Sequence, residues 1–360
     1  MPQLAVLAIA WVAGWWLCAR VRRLPPSSAS APLVSVVVPA RDEEHTLPTV
    51  LAGLRGQTVP PVEMIVVDDG STDRTARVAV DGGAHVVGAD PLPEGWTGKA
   101  SAIRQGVAAA SSDVVVVLDA DVDPRPDLLA RLVATFTHGG GLVSVQPYHR
   151  VVHWWERASA LFNLVAVMGS GLASPTWPKR QSITTAFGPV LICRRVPLLE
   201  RIADPSVRGS VLDDVALARR FAADGEPVRA FAGRGVVEFR MYDRPVALVE
   251  GWTKNFASGA ATVPPVRLAL IVLWIAACLT SGVWVFGGSV VAIATYVAFA
   301  VQCFVQLRQV GSFGIVTSVL YPLLAAVFVT VFALSLVLTL TGEVRWKGRR
   351  VRLRGRDEGA

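Results

Sequence analysis

Residues 113–121, Asp113-Val114-Val115-Val116-Val117-Leu118-Asp119-Ala120-Asp121, decide how this chain is read. Val114–Leu118 is apolar at every position, the pattern of a strand buried on both faces, and such strands belong to parallel sheets covered by helices on both sides. Two carboxylates follow at once. Side chains two apart at a strand's end turn toward one point, and two hard carboxylate oxygens there suit Mg²⁺ or Mn²⁺, which take a few carboxylates together with substrate oxygens. Ligands of open α/β sheets bind beyond the carboxyl ends of the strands. Asp119 and Asp121 are therefore candidate metal ligands.

The same alternation extends outward. Strands are predicted at 33–38, 62–67, 84–88 and 142–146, with helices over 43–55, 72–82, 98–111 and 125–137. The sum is an α/β fold built on a mostly parallel sheet with helices on both faces. Two more of its strands end in acidic motifs, Val38-Pro39-Ala40-Arg41-Asp42-Glu43-Glu44 and Asp68-Asp69-Gly70-Ser71-Thr72-Asp73. In the second, Gly70, Ser71 and Asp73 suit a turn and a helix cap, whereas two successive carboxylates at the strand's end suit hydrogen bonds from a base edge or a ribose. The first strand-to-helix turn lacks GxGxxG and the chain lacks GxxxxGK[ST], which speaks against a dinucleotide oxidoreductase and a P-loop enzyme.

The 360 residues are 52% hydrophobic and 18% charged, with a net charge of +7. Residues 268–307 and 309–342 carry no charge, and neither do 1–19. Stretches of this kind reach the roughly 20 residues that cross a bilayer. The positive charge lies at Arg20, Arg22 and Arg23 and in the tail 345–360; residues 33–266 sum to −2, which argues against a nucleic-acid partner. The expected organisation is an anchor at 1–23, a linker at 24–32, a cytoplasmic catalytic domain at 33–263, a membrane block of about three spans at 264–344 and a basic cytoplasmic tail at 345–360. An anchor and a tail both on the cytoplasmic side conflict with three intervening spans. Either 311–341 holds a re-entrant or interfacial piece plus a span, or one apolar stretch does not cross. Trp154–Gly171 reads equally as an interfacial helix and as a buried core helix. Cys18, Cys193, Cys278 and Cys303 lack CxxC spacing and read as buried small hydrophobes.

VPARDEE (38–44), VVDDGSTDRT (66–75), Gly95-Trp96-Thr97-Gly98-Lys99, LDADVDPRPDLL (118–129) and Asp213-Asp214, in this order, resemble glycosyltransferase family 2 with its GT-A fold over roughly 33–260. Gln146-Pro147-Tyr148-His149, Gly251-Trp252-Thr253-Lys254-Asn255 and the flanking anchors look most like the membrane-bound branch that contains the 4,4′-diaponeurosporenoate (carotenoid) glycosyltransferases. The resemblance implies that Pro39, Ala40, Arg41 and Glu43 hold the nucleotide and that Asp68 and Asp69 face its uracil and ribose. It implies that Asp119 and Asp121 bind Mg²⁺ or Mn²⁺ on the donor diphosphate, and that Lys99 meets phosphate or acceptor. Asp214 matches the general base. The family usually shows Glu-Asp at 213–214, so the shorter Asp213 is a departure. His149, Trp252 and Lys254 are candidate diphosphate or acceptor contacts. Glu250-Gly251-Trp252-Thr253-Lys254 stands where polymerising relatives carry QxxRW, so one sugar is expected to be added. The expected enzyme is a bacterial-type, multi-pass inner-membrane transferase that passes sugar from a nucleotide-sugar, a UDP-sugar, to a lipid acceptor such as a carotenoid or hopanoid. A polyprenyl phosphate or diacylglycerol acceptor, or an inactive membrane scaffold, is the alternative.

Overall fold

The computed structural model of the chain describes residues 2–27, 33–174, 185–210, 213–341, 344–346 and 349–351, with backbone alone for 254–258 and beyond 339. Two compact units share the chain: Val21–Arg150 with Thr176–Arg240, and Met1–Arg20 with Val151–Pro175 and Met241–Ala360. The boundaries differ from those expected, because 151–175 and 241–263 group with the apolar helices and not with the sheet.

Helix α1 (Pro2–Leu17) belongs to the second unit. The first unit runs β1 (Ser35–Ala40), α2 (Leu47–Arg55), β2 (Glu63–Asp68), α3 (Thr75–Asp81), β3 (His85–Gly88), α4 (Gly98–Ala109), β4 (Val114–Leu118), β5 (Val122–Pro124), α5 (Leu128–Thr137), β6 (Leu142–Gln146) and β7 (Tyr148–His149). After α6 (Ala160–Ser170), of the second unit, come β8 (Val190–Arg194), α7 (Arg195–Ile202), α8 (Pro205–Arg208), α9 (Asp213–Ala223), β9 (Val228–Ala232) and β10 (Val237–Phe239). The five predicted strands are all present. Three of the four predicted helices start a few residues late, because the strand-end motifs are spent in loops before the helix begins.

Seven strands form the main sheet in the order β3-β2-β1-β4-β8-β6-β9. β3, β2, β1 and β4 are parallel. β8 runs antiparallel to both β4 and β6, and β6 pairs parallel with β9. Val36–Val38, Ile65–Val67 and Val115–Leu118 are fully buried, the core the apolar runs demanded. From β1 the chain moves outward to β2 and β3, then crosses back to β4 on the other side of β1. That reversal is the topological switch point at which open α/β sheets bind ligands. A small second sheet, β5-β10-β7, starts directly after Asp121.

Helix α4 lies tight on this sheet. A Cβ on Gly106 would come 2.4 Å from Val37 Cγ1 and 2.7 Å from Val67 Cγ2, two stiff β-branched side chains with no room to yield. Gly106→Ala is expected to cost about 1–3 kcal/mol through overpacking, read as a lower thermal midpoint of the purified protein.

The second unit comprises α1, a 3-10 turn at Trp154–Ser159, α6, α10 (Pro245–Ala260), α11 (Pro265–Trp284), α12 (Val290–Val310), α13 (Gly314–Val319) and α14 (Tyr321–Thr341), followed by the short strands β11 (Val344–Trp346) and β12 (Arg349–Val351). Among the described residues, three helical stretches are long and apolar enough to cross a membrane: Pro265–Gly287, Val290–Val310 and Tyr321–Thr339. The 311–341 stretch breaks before Tyr321-Pro322 into a short helix and a long one. With 16 residues, α1 is about 24 Å long at 1.5 Å per residue, short of a ~30 Å hydrocarbon layer.

Side-chain amides and indoles fasten α1 to its neighbours. Trp11 Nε1 donates to Ala298 O (3.1 Å), Gln302 Nε2 to Trp11 O (2.7 Å), Gln306 Nε2 to Gly14 O (2.8 Å) and Trp274 Nε1 to Gln302 Oε1 (2.9 Å). Helix α6 is buried along almost its whole length, the core-helix reading of the two. The residues of the linker at 28–32 and most of the basic tail lie outside those described.

Candidate active site

The loops after β1 and β2 are latched together. Asp42 N donates to Ser71 Oγ (3.0 Å), and its carboxylate accepts from Thr72 N (2.7 Å). Glu43 N donates to Thr75 Oγ1 (2.8 Å) and Glu44 N to Asp73 Oδ2 (3.1 Å). Glu44 in turn accepts from Arg74 N and Nε, at 3.1 and 3.0 Å. Asp42 adopts φ +53°, a left-handed backbone that Asp tolerates better than most residues. The Thr72 backbone N–H holds the Asp42 carboxyl below its usual range, and Arg74 does the same for Glu44. Three acids of these motifs, Asp42, Glu44 and Asp73, thus build the loops. Asp68 caps its own turn by accepting from Ser71 N (3.0 Å), Asp69 N donates to Ala40 O (2.9 Å), and the Arg41 guanidinium stands 3.6 Å from Asp69 Oδ2.

On the other side of the switch point, Asp119 N donates to Pro189 O (2.9 Å), and the Lys99 ammonium, in the first turn of α4, sits 2.7 Å from Asp119 Oδ1. Thr97 starts α4 by accepting from Ala100 N at 3.2 Å, which fixes where Lys99 emerges. Burial pushes the Asp121 carboxyl up to about 7, and repulsion from Asp119 and Glu43 adds to it while Lys99 opposes. Burial alone would lower the Lys99 pKa; Asp119, Asp213 and Asp214 outweigh it and raise it.

Asp214 stands in the first turn of α9. Its Oδ2 accepts from Gly188 N (2.9 Å) and its Oδ1 from Val215 N (2.8 Å), while Asp213 Oδ1 accepts from Asp214 N (3.0 Å). Burial, then Asp213, raises the Asp214 carboxyl to about 6, against the pull of Lys99 and of the two backbone N–H groups. A carboxylate so tuned is a proton acceptor near neutral pH. If it is the base, kcat/KM rises with pH up to about 6 and is level above it, since protonation below that value removes the acceptor lone pair. A pH–rate profile of the solubilised protein checks the position of this limb.

Asp119 and Asp121 fit a divalent cation by donor chemistry. Both offer hard oxygens, and the charge crowded at Asp121 is what a cation relieves. Among the described residues, no group of three or more His, Cys, Asp or Glu is arranged to hold a metal, so the pair leaves most of a coordination shell open.

Other expectations fare differently. His149 is buried in β7 with its ring edge-on to Phe239, centroids 5.4 Å apart. Trp252 is buried in the helical unit, stacked on Phe162 at 4.9 Å with its Nε1 donating to Ser159 Oγ (3.0 Å). Its indole is engaged in packing, which corrects the expectation of a ligand contact. The Lys254 side chain lies outside the described residues. Sequence reasoning missed Gly188. A Cβ on it would meet Lys99 Nζ at 3.3 Å and Asp214 Oδ2 at 3.4 Å. Its signal was the Gly-Pro turn before the apolar run Val190–Cys193, which reads as a strand.

A sheet of this order, with carboxylates at its switch point, defines the nucleotide-diphospho-sugar transferase class, the GT-A fold. The sequence pattern described as Glycosyl transferase family 2 matches residues 35–190. A 4,4′-diaponeurosporenoate glycosyltransferase of Staphylococcus haemolyticus (strain JCSC1435) is 34% identical over 334 residues, 88% of this chain and 88% of the relative. One of Staphylococcus aureus (strain USA300) is 34% identical over 332 residues, 88% and 87% of the two chains. Among solved structures, a mannosyltransferase from Pyrobaculum calidifontis in complex with GDP-Man and Mn²⁺ superposes with a TM-score of 0.55 at 19% identity, covering 94% of this chain and 96% of that one. The chain belongs to glycosyltransferase family 2, and its enzymatic class is that of a nucleotide-sugar glycosyltransferase.

Proposed function

We propose that this enzyme transfers one sugar, with inversion and with the help of Mg²⁺ or Mn²⁺, from a UDP-sugar to a lipid-soluble acceptor of the carotenoid or hopanoid kind. The observation that carries the reading is Asp214, a half-buried carboxylate held by Gly188 N and poised near neutral pH, in the same constellation as Lys99 and Asp119. Asp214 takes the proton of the acceptor as its oxygen attacks the anomeric carbon, and the nucleotide diphosphate leaves. Arg41, Glu43, Asp68 and Asp69 line the nucleotide end, with Pro39 and Ala40 supplying the backbone beside them. Asp119 and Asp121 would hold the divalent cation, which would supply charge neutralisation to the leaving diphosphate. Lys99 adds positive charge beside it.

The lipid acceptor rests on two supports: the carotenoid substrate for which the staphylococcal relatives are named, and three helices apolar enough for a bilayer. The enzyme is read as a multi-pass protein of the cytoplasmic membrane with the α/β unit on the cytoplasmic face, its basic flanks against anionic headgroups.

The test is incubation of membranes carrying the protein with labelled UDP- and GDP-sugars, followed by mass analysis of extracted lipids. Label in a carotenoid or hopanoid fraction supports the reading. Label in polyprenyl phosphate or diacylglycerol, or only in water-soluble product, overturns the acceptor, and transfer from a GDP-sugar alone overturns the donor base. Absence of any nucleotide-sugar turnover by the purified protein, with or without added metal, would reduce it to a scaffold.

A further inference from the structure

Lys99 lies within electrostatic reach of four carboxylates, Asp119, Asp121, Asp213 and Asp214. Its ammonium touches Asp119 Oδ1 at 2.7 Å and, with Asp214 Oδ2, lies against the one position that a side chain on Gly188 would fill. Lysine is a compact charge on a flexible four-carbon stem, so this contact can be surrendered. A divalent cation bound by Asp119 must come within about 2.0–2.2 Å of its oxygen, and an ammonium at hydrogen-bond distance competes for that same oxygen.

On the proposed reading of Asp119 and Asp121 as metal ligands, we infer that Lys99 is the internal counter-ion of the donor-free site: it neutralises Asp119 until metal and nucleotide diphosphate arrive together, and then leaves that carboxylate for the incoming phosphate oxygens. Two consequences follow. Lys99 weakens binding of the metal alone, since the cation must displace it and leave an ammonium without its partner. The diphosphate repairs this by offering a new anionic partner, so metal and nucleotide each tighten the other. The coupling is reciprocal by linkage.

The experiment measures free Mn²⁺ by electron paramagnetic resonance in titrations of the purified, detergent-solubilised protein, with and without UDP, and with GDP as a second nucleotide. In the parent protein, nucleotide is expected to tighten Mn²⁺ by a factor in the range of about 5–150. Lys99→Met, and Lys99→Gln as a polar alternative, are expected to bind Mn²⁺ alone roughly tenfold more tightly, the size of a charge contact worth about 1.4 kcal/mol, and to lose most of the nucleotide coupling. Arg104→Met removes one charge from the same helix away from Asp119 and is expected to change neither quantity. Unaltered Mn²⁺ affinity and coupling in both Lys99 variants, or an equal gain in Arg104→Met, overturns the counter-ion role. Asp121→Asn separates the two levels: Mn²⁺ binding indifferent to this change overturns the metal site itself, whereas binding lost in Asp121→Asn but indifferent to Lys99 overturns only the inference.

Discussion

Asp214→Asn is expected to lower transfer by about two to four orders of magnitude, the contribution typical of a positioned base, while nucleotide binding is retained. The asparagine keeps an oxygen for Gly188 N, which now donates at 2.9 Å, so the loop before β8 should hold its place. What disappears is the lone pair that receives the acceptor's proton. The separation of effects is the useful part. Turnover measured with saturating nucleotide-sugar should collapse, and the dissociation constant for UDP by calorimetry should stay near that of the parent. Retained turnover would remove Asp214 from the base role, and loss of UDP affinity would recast it as a binding residue.

The second large effect is expected at the carboxylate pair. Asp121→Asn removes a charge from a spot where burial and the neighbouring Asp119 and Glu43 already work against ionisation. The protein alone should therefore tolerate the change or gain stability, since relieving buried like charge is favourable. Transfer should fall by about a hundredfold or more, corresponding to roughly 3 kcal/mol of lost stabilisation of the departing diphosphate. Chelation of the parent protein should reproduce the loss, and Mn²⁺ or Mg²⁺ should restore the parent but not the variant. A variant that melts normally and transfers at the parental rate would sever Asp121 from the chemistry.

Much of the α/β unit was legible because its strands are periodic and its loops carry chemistry at their ends. Val114–Leu118 and Glu63–Asp68 announce themselves by composition, and the carboxylates after them mark the ligand-binding end of the sheet; the strand order that makes it a switch point lies in the pairing. Three things were not legible, for separate reasons. Residue type does not say whether a carboxylate faces a ligand or a backbone N–H: Asp73 was legible as a turn and cap residue, whereas nothing in the motifs told that Asp42 and Glu44 fasten one loop to the next. The direction of β8 could not be read, since a short apolar run has no arrow; only its pairing with Val114–Leu118 gives one. Trp252 has a polar tip that a ligand or a hydroxyl can satisfy equally, and Ser159 is 93 positions away in the sequence.

That reversed strand has a mechanical consequence. Because β8 begins where β4 ends, one dipeptide sits between the two halves of the chemistry: Gly188 N reaches Asp214, and Pro189 O receives Asp119 N. Neighbouring Cα atoms across a trans peptide are about 3.8 Å apart whatever else moves. On the roles proposed for Asp119 and Asp214, the leaving-group side and the base side are thus tied through one dipeptide and two hydrogen bonds. A disturbance of Gly188-Pro189 would therefore reach both carboxylates at once.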